Sequence, residues 1–304
     1  MAKKSDVAVI AHQRKVLGGG LDELRKLLTD EISDELIWYE VPKSKKSPKM
    51  IRKALKKGAK TIFVWGGDGM VQRAVDTLAG TDTTMAILPA GTANLFATNL
   101  GIPEDLPEAV RIGLHGKKKK LDLGRINGEH FAVMAGAGFD GHLIAEADRG
   151  AKDQMGKLAY VWTGLRHIQD DPSPTKIKVD GNTWFEGEAS CVLFGNVSTI
   201  TGGIHAFDDA KPDDGWIEVG VATSQNAIEW ARTLGRMAFG RSDSSPFVQI
   251  TRAKRVEVTF AEPTLYELDG GDREMTRKLK VTVVPGGVTV RVPKEKEEDS
   301  ATAG

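Results

Sequence analysis

Two glycine-rich turns hold the residues whose types and spacing best suit phosphate chemistry. The first follows the apolar run 61–65 and reads Gly-Gly-Asp-Gly at 66–69. Glycines let the backbone approach a phosphate and aim amides at it, and a helix that begins near Met70 adds its positive end. An aspartate beside an anion needs a partner, so Asp68 predicts a Mg²⁺ ion on the phosphates or an alcohol that receives phosphate. The structural alternative is a tight turn in which Asp68 is a helix N-cap.

The second turn repeats this arrangement after the next apolar run. Residues 88–96 read Leu-Pro-Ala-Gly-Thr-Ala-Asn-Leu-Phe. Gly91 permits close approach, while Thr92 and Asn94 offer short hydrogen-bonding side chains at a helix start, which is also typical of an ordinary cap. Ligands of open α/β sheets bind beyond the carboxyl ends of the strands. Two such turns on consecutive strands therefore predict one crevice for a phosphate or a nucleotide.

The elements that must hold these turns alternate in type. Buried strands are predicted at 7–11, 36–41, 61–65 and 85–89. Helices are predicted at 21–28, 48–57 and 70–78, with another that ends near Gly101. Strands that alternate with helices indicate βαβ units and a parallel sheet. We therefore expect an N-terminal parallel-sheet α/β nucleotide-binding domain over residues 1–120.

After the basic run 117–120 the pattern changes to many short strands. They are predicted at 121–126, 130–135, 175–180, 183–194, 215–222, 247–250, 254–260, 278–284 and 287–292. Turn signals such as Asp180-Gly181-Asn182 join them, and helices are predicted near 140–149, 157–168 and 226–238. This pattern predicts a mostly antiparallel β-sandwich domain over residues 121–293. The charged tail 294–304 is expected to be disordered.

Composition excludes several classes of protein. The 304 residues contain 42 Lys or Arg and 42 Asp or Glu, a balance that argues against a nucleic-acid partner. The one cysteine, Cys191, cannot form an internal disulfide, lies in an apolar run and is expected in the core. No apolar run approaches the length of a membrane-spanning helix or signal peptide. We therefore expect a cytoplasmic protein, with peripheral contact at the inner membrane surface left open.

One stretch departs from the charge balance. Between Val41 and Gly67 there are nine basic residues and no acidic residue. A solvated face of a packed helix is one explanation, and docking to anionic lipid headgroups is the other. The predicted helix 157–168 has a similar pair of explanations, since its apolar side chains suit either core packing or an acyl-chain groove.

Several motifs together carry a family resemblance. The turn at 66–70, followed about twenty residues later by Leu-Pro-Ala-Gly-Thr-Ala-Asn-Leu-Phe-Ala at 88–97, resembles the diacylglycerol kinase catalytic domain. That family includes bacterial lipid kinases and sphingosine kinases and is distantly similar to NAD kinase. Further matching stretches lie at 134–140, 213–217, 268–270 and 285–288, so the resemblance spans about residues 6 to 293.

The resemblance implies ATP and Mg²⁺ as cofactors, with the active site between two domains. It assigns the nucleotide to Gly66, Gly67, Asp68, Gly69, Met70, Val71, Gln72, Gly91, Thr92 and Asn94. It makes Asp68 the catalytic or metal-organising acid. It matches a Mg²⁺ position to Asp214 with the carbonyl groups of Lys211 and Trp216.

The sequence departs from the family pattern in three places. Met70 replaces a hydroxyl residue, and the loop after the first strand lacks the usual Asn-Pro turn. Gly271 stands where many bacterial members have the glutamate proposed as general base. Asp272 is a candidate substitute for this glutamate, and Asp68 alone is the other. Phosphoryl transfer depends mostly on positioning, so loss of the base predicts a slow kinase rather than an inactive one.

The sequence predicts an ATP- and Mg²⁺-dependent lipid kinase that phosphorylates a hydroxyl of a membrane lipid such as diacylglycerol. A kinase for a soluble alcohol, similar to NAD kinase, is one alternative. A non-catalytic lipid- or nucleotide-binding regulator is the other, motivated by Gly271 and Met70. The expected partners are a membrane lipid and an anionic membrane surface, and a homodimer is left open.

Overall fold

The computed structural model describes residues 4–138, 172–200, 204–224, 229 and 245–294. Its first half is built on four parallel strands in the order β2-β1-β3-β4. These strands are β1 (Lys4–His12), β2 (Glu35–Val41), β3 (Thr61–Gly66) and β4 (Thr84–Pro89). The side chains of β4 are all buried, as expected for a parallel sheet that is covered on both faces. The predicted parallel α/β architecture is confirmed.

Helices cover both faces of this sheet. They are α1 (Gly20–Glu31), α2 (Ser47–Lys56), α3 (Asp68–Leu78), α4 (Leu95–Asn99) and α5 (Leu106–His115). Helix α1 packs with α5 and α2 packs with α3, as expected if the crossover connections are right-handed and place the two pairs on opposite faces. A short 3-10 helix, Ser44–Lys46, leads into α2.

The sequence reasoning above missed α5. Its start carries recognisable signals, because the Asp105 side chain accepts a hydrogen bond from the Glu108 amide at 2.9 Å and a proline occupies the first turn. Its apolar side chains, including Ile112, lie in the core.

The second half is a sandwich of antiparallel strands, as predicted. The strands are β5 (Lys117–Ile126), β6 (Glu129–Phe131), β7 (Met134–Ala137), β8 (Ser173–Val179), β9 (Asn182–Ala189), β10 (Cys191–Gly195), β11 (Thr199–Ile200), β12 (Ile204–His205), β13 (Ile217–Ala222), β14 (Val248–Ala253), β15 (Arg255–Thr264), β16 (Tyr266–Leu268), β17 (Gly271–Asp272) and β18 (Thr276–Val292). One sheet has the order β14-β13-β10-β7-β16-β17. An apolar core that includes Phe131, Phe194 and Leu279 fills the space between this sheet and the strands of the other sheet.

The last strand joins the two halves. Strands predicted separately at 278–284 and 287–292 are one strand, β18, because the Pro285-Gly286-Gly287 segment forms an irregularity in the ladder with β5 instead of a turn. The end of β18 pairs in parallel with β4, where Val290 lies opposite Met85, and its start pairs antiparallel with β15. A ten-stranded sheet therefore runs through both halves.

Several expectations fall outside the described residues. They are the helices predicted at 140–149 and 157–168, most of the helix at 226–238, and residues 295–304 of the tail. Within the described residues, no helix has the length and apolar character needed to cross a bilayer. Cys191 is buried in β10, and burial raises the pKa of its thiol to about 12, which fits the expected core role.

Candidate active site at the two glycine turns

The two glycine turns contact each other directly. Gly66 and Pro89 are paired at the ends of β3 and β4, and the Ala90 amide donates to the Gly66 carbonyl oxygen at 3.1 Å. A methyl group built on Gly67 would lie 2.9 Å from the Gly91 Cα, and one on Gly91 would collide with the Gly67 Cα. Glycine is therefore needed at both positions for the turns to meet. The structure brings the two predicted turns into one site.

Asp68 lies at the junction of the turns and ties one to the other. Its carboxylate oxygens accept hydrogen bonds from the Asn94 amide at 2.9 Å and from the Leu95 amide at 2.6 Å. Asp68 thus caps α4, whereas the N-cap of its own helix is Gly67, which has no side-chain cap. The two amide bonds fix the Asp68 carboxylate at the junction of the turns.

Asn94 closes the second turn with its side chain. Its backbone has a φ of 48°, a left-handed conformation that asparagine tolerates well. The Asn94 Oδ1 accepts from the Gly91 amide at 2.8 Å, and Nδ2 donates to the Gly91 carbonyl oxygen at 3.1 Å and to Glu104 Oε1 at 2.8 Å. The neighbouring Thr92 is exposed. Asn94 is therefore committed to shaping the turn, while Thr92 faces solvent.

The remaining residues predicted to bind the nucleotide have different surroundings. Met70 and Val71 have side chains in the apolar core, and Gln72 Nε2 donates to the His130 carbonyl oxygen at 2.9 Å. A methyl group on Gly66 would lie 2.8 Å from the Met70 Cβ, whereas one on Gly69 would meet nothing within 4 Å. A phosphate bound at this stretch would therefore contact the backbone and the open space over Gly69, and not the side chains of Met70, Val71 and Gln72.

A second buried carboxyl, Asp269, faces this site from the other half of the molecule. Its oxygens accept hydrogen bonds from the amides of Ala132 at 2.9 Å, Val133 at 2.9 Å and Met134 at 3.0 Å. Burial is the main cause that raises the pKa of Asp269 to about 6, the three amide bonds oppose the shift, and the charge of Asp68 adds to it. Asp269 lies in the stretch 268–270 that contributes to the family resemblance, but the sequence assigned it no role.

Asp272, the predicted substitute base, has a different setting. It is exposed on β17, and its carbonyl oxygen accepts from Arg273 Nη1 at 3.1 Å. Arg273 Nη1 also donates to the Gly271 carbonyl oxygen at 2.8 Å, and its guanidinium pairs with Glu129, with Nε 2.9 Å from Oε1. Arg273 is largely buried and fixes this turn against β6. The charge of Asp68 acts on Asp269, and the role of Asp272 as substitute base stays a prediction.

Helix α3 connects the first turn to the second half. Gln72 and Asp76, one helical turn apart, both bind His130 on β6. The Asp76 Oδ1 is 3.0 Å from the His130 amide and 2.9 Å from its Nδ1. These hydrogen bonds, with the His130 side chain first among the causes, lower the pKa of Asp76 despite its partial burial. The helix that begins at Asp68 is thereby fixed to the sandwich.

The predicted metal loop is ordered around a buried carboxylate. Asp122 accepts hydrogen bonds from the amides of Gly215 and Gly286, both at 2.7 Å. The exposed Asp214 accepts from the Trp216 amide at 3.0 Å. Burial, followed by the charge of Asp214, raises the pKa of Glu218. The described residues contain no cluster of three acidic, His or Cys ligands, and the predicted Mg²⁺ position at Asp214 stays a prediction.

A chain of hydrogen bonds links that loop to the buried Asp269. The buried Asn196 donates through Nδ2 to the carbonyl oxygens of Asp122 at 3.0 Å and Ala132 at 2.9 Å. The Ala132 amide in turn donates to the Asp269 carboxylate at 2.9 Å. From Asp269 the connection to Asp68 in the first turn is one of charge.

Comparison with known proteins agrees with this architecture. Residues 10–126 match the family model of the diacylglycerol kinase catalytic domain, and residues 133–292 match the YegS C-terminal NAD kinase beta sandwich-like domain. The chain is 31% identical over 245 residues to a "Diacylglycerol kinase" of Bacillus subtilis, covering 78% of this chain and 79% of that protein. It is 33% identical over 249 residues to a "Probable lipid kinase YegS-like" of Pseudomonas aeruginosa, covering 81% and 80%.

Solved structures show the same fold. A crystal structure of a diacylglycerol kinase from Bacillus anthracis superposes with a TM-score of 0.74 at 25% identity, covering 94% of this chain and 96% of that chain. An NAD kinase from Archaeoglobus fulgidus in complex with ATP superposes with a TM-score of 0.51 at 8% identity, covering 95% and 94%. This second likeness is one of fold alone. With both halves matched in order, the chain belongs to the diacylglycerol kinase and YegS-like family of lipid kinases.

Proposed function

We propose that this protein is an ATP- and Mg²⁺-dependent kinase that transfers the γ-phosphate to a hydroxyl of a membrane lipid such as diacylglycerol. The observation that carries the proposal is the direct contact of the two glycine turns, with the Asp68 carboxylate at their junction. Family membership supports the reaction class.

In this proposal the first turn binds the phosphates. The N-terminal end of α3 offers the positive end of the helix dipole, and the open space at Gly69 admits a phosphate close to the backbone. Asp214 with the carbonyl groups of Lys211 and Trp216 would hold Mg²⁺, which neutralises phosphate charge when bound. The buried Asp269 holds the 132–134 backbone and so positions the opposite wall of the site.

Asp68 has the central chemical role in this proposal. It orients the acceptor hydroxyl and takes its proton as the hydroxyl oxygen bonds to the γ-phosphorus and the bond to the bridging oxygen of ADP breaks. A general base typically contributes about 10²- to 10⁴-fold to a rate. With Gly271 in place of the family's glutamate, this contribution falls to Asp68, with Asp272 as the second candidate.

The test is transfer of labelled γ-phosphate from ATP to a panel of lipids, with NAD as a soluble acceptor. Asp68→Ala is expected to lower the rate at least about 100-fold, and Asp272→Ala measures the second candidate. Asp105→Ala is the matched control, since it also removes an aspartate that caps a helix, but on α5. It is expected to cost about 1 kcal/mol of stability and to keep the rate. Equal rates for Asp68→Ala and wild type contradict the proposed mechanism.

Gly271 also favours a non-catalytic alternative. A methyl group there would lie 3.0 Å from Arg273 Nη1, so the side chain of Arg273 occupies space next to the position of the family's glutamate. A regulator of this kind would bind ATP without transferring phosphate to any acceptor, and Gly271→Glu would not restore transfer. The same panel therefore separates a lipid kinase, a kinase for a soluble alcohol and a binding protein.

A further inference from the structure

A strip of basic side chains covers the outer face of α2 and the 3-10 helix before it. We define the basic strip as Lys43, Lys45, Lys46, Lys49, Arg52, Lys53, Lys56 and Lys57, all of which are exposed. No acidic residue occurs between Val41 and Gly67. The strip is thus a local concentration of positive charge on a chain whose charges otherwise balance.

The residues that the structure describes do little to neutralise the strip. Within the described ranges, ion pairs with acids involve other basic residues, among them Lys60 with Asp6 at 3.4 Å just past the strip. Lys57 lies over the ring of Tyr39 at 5.0 Å, which is a contact with an aromatic face and not with an acid. The positive charge of the strip therefore remains available to an external partner.

Lys53 and Lys56 in the last turn of α2 suit its negative end, but the charge at the start of the helix works against it. Ile51 and Ala54 form the buried face of α2, so core packing does not require the basic face. Lys49 stands near the positive N-terminal end of α2, whose first turn contains no acid. It is also three and four residues from Arg52 and Lys53, spacings at which like charges repel. The fold of α2 does not explain the strip.

The strip begins at the sheet edge that carries the glycine turns. The 3-10 helix follows the carboxyl end of β2, and β1 to β4 run parallel, so this end lies on the same edge as Gly67 and Gly91. The Gln13 amide donates to the Val41 carbonyl oxygen at 3.0 Å, which places the loop after β1 beside the start of the strip. That loop exposes Val16, at 72% one of the two large apolar side chains that are strongly exposed in the described residues.

We propose that the basic strip is a docking surface for a membrane rich in anionic lipid, and that its first residues, at the edge with the glycine turns, bring that edge next to the bilayer. Cations beside an exposed apolar side chain suit a lipid surface, because the cations can contact anionic headgroups and the apolar side chain can enter the acyl region. Nucleic acid fits less well, since the chain has no net positive charge. The inference rests on the proposed lipid kinase function only in giving docking a purpose. Membrane binding itself needs no ATP and can be measured without catalysis.

The test is sedimentation of the full chain with vesicles of phosphatidylcholine alone or mixed with phosphatidylglycerol. Wild type is expected to bind the anionic vesicles selectively and to dissociate as salt is added. Joint replacement Lys45→Gln, Lys46→Gln and Lys49→Gln is expected to lower the partition coefficient about 100-fold. The control is Lys178→Gln, Lys278→Gln and Lys280→Gln, which removes the same charge from exposed positions on β8 and β18 and is expected to bind like wild type.

Transfer to diacylglycerol in neutral detergent micelles is measured in parallel to keep docking and catalysis apart. Both triple variants are expected to retain wild-type rates there, because none of the six lysines lies in the proposed site. Absence of transfer by wild type would count against the kinase but not against docking. Equal vesicle binding by the strip variant and wild type, equal binding to neutral and anionic vesicles, or displacement from vesicles by duplex DNA would each overturn the docking proposal.

Discussion

Glycines in the two turns have different physical reasons for being there. Gly67 and Gly91 are needed because the turns meet backbone to backbone, whereas Gly69 borders open space where the proposal puts a phosphate. The same residue type thus serves packing at two positions and access at a third. Sequence inspection treats all three as one motif, and only their surroundings distinguish them.

This difference predicts opposite outcomes for two alanine substitutions. Gly69→Ala is expected to keep or raise the free energy of unfolding, by up to about 1 kcal/mol, because alanine favours a helix. It is also expected to weaken ATP binding, since the new methyl group enters the phosphate space. Gly91→Ala is expected to lower Tm by forcing the turns apart. Thermal unfolding and ATP titration measure both effects, and unchanged ATP affinity in Gly69→Ala would contradict the assignment of that space.

The Asp68 and Asp269 carboxyl groups are coupled through their charges. Because the pKa of Asp269 is raised to about 6, the folded state holds its proton more tightly than the unfolded state does. The stability gained from this is complete below the ordinary value of 3.8 and is lost as pH rises through about 6. At neutral pH Asp269 is mostly ionised, and its three amide bonds explain why a carboxylate is kept in this buried place.

Removing the charge of Asp68 is therefore expected to lower the pKa of Asp269. Carboxyl-carbon NMR titration should give a midpoint near 6 in wild type and a lower one in Asp68→Asn. Asp269→Asn assigns the resonance, and thermal unfolding confirms that Asp68→Asn is folded at the start of the titration. An unchanged midpoint would show that the two carboxyl groups are not coupled.

Among the elements, α3 has the widest set of connections. It begins at the first turn, packs against α2, and binds β6 through Gln72 and Asp76. Its buried face was predictable from apolar spacing, but its contacts with His130 were not, because they join residues more than fifty positions apart. Through this helix the position of the first turn depends on the sandwich.

The Asp76 contacts predict a pH-dependent contribution to stability. The pKa of Asp76 is lowered in the folded state, so its carboxylate stabilises the fold above the ordinary value of 3.8, and this contribution is lost as pH falls through the lowered pKa. Asp76→Ala is expected to cost about 1 kcal/mol at pH about 7, and less in acid. Asp76→Asn keeps one acceptor oxygen, so its free energy of unfolding should lie between those of wild type and Asp76→Ala. Chemical denaturation at neutral and at acidic pH measures the free energy of unfolding of all three proteins. If Asp76→Ala costs as much in acid as at neutral pH, the contribution of Asp76 is not ionic.

At the scale of the whole molecule, β18 makes the two halves one structure. Its Leu279 and Val281 lie in the sandwich core, whereas Val288 and Val290 lie in the core of the parallel sheet. It pairs with β15, β5 and β4 along its length. Chain order alone would separate the halves near residue 120, but the last strand returns to the first sheet.

This shared strand predicts cooperative unfolding of both halves. Val290→Ala is expected to cost about 2 kcal/mol, because two buried methyl groups are lost. Hydrogen exchange should show the same loss of protection in β3 and in β13, although only β3 belongs to the parallel sheet. Val16→Ala is the control, since Val16 is exposed and its loss should change little. Reduced protection in β3 alone would mean that the halves unfold independently.

The alternation of strands and helices, the change to antiparallel strands and the two glycine turns were all predictable from the sequence. These features depend on local apolar periodicity, on glycine conformation and on strand ends, all of which are written in short stretches of chain. Helix α5 was also within reach of such signals. The three-dimensional structure was needed to show that Asp68 caps α4, that the charge of Asp68 acts on the buried Asp269, and that β18 belongs to both halves. The reason is that burial, desolvation and long-range pairing depend on residues far apart in the chain, whose approach no local pattern specifies.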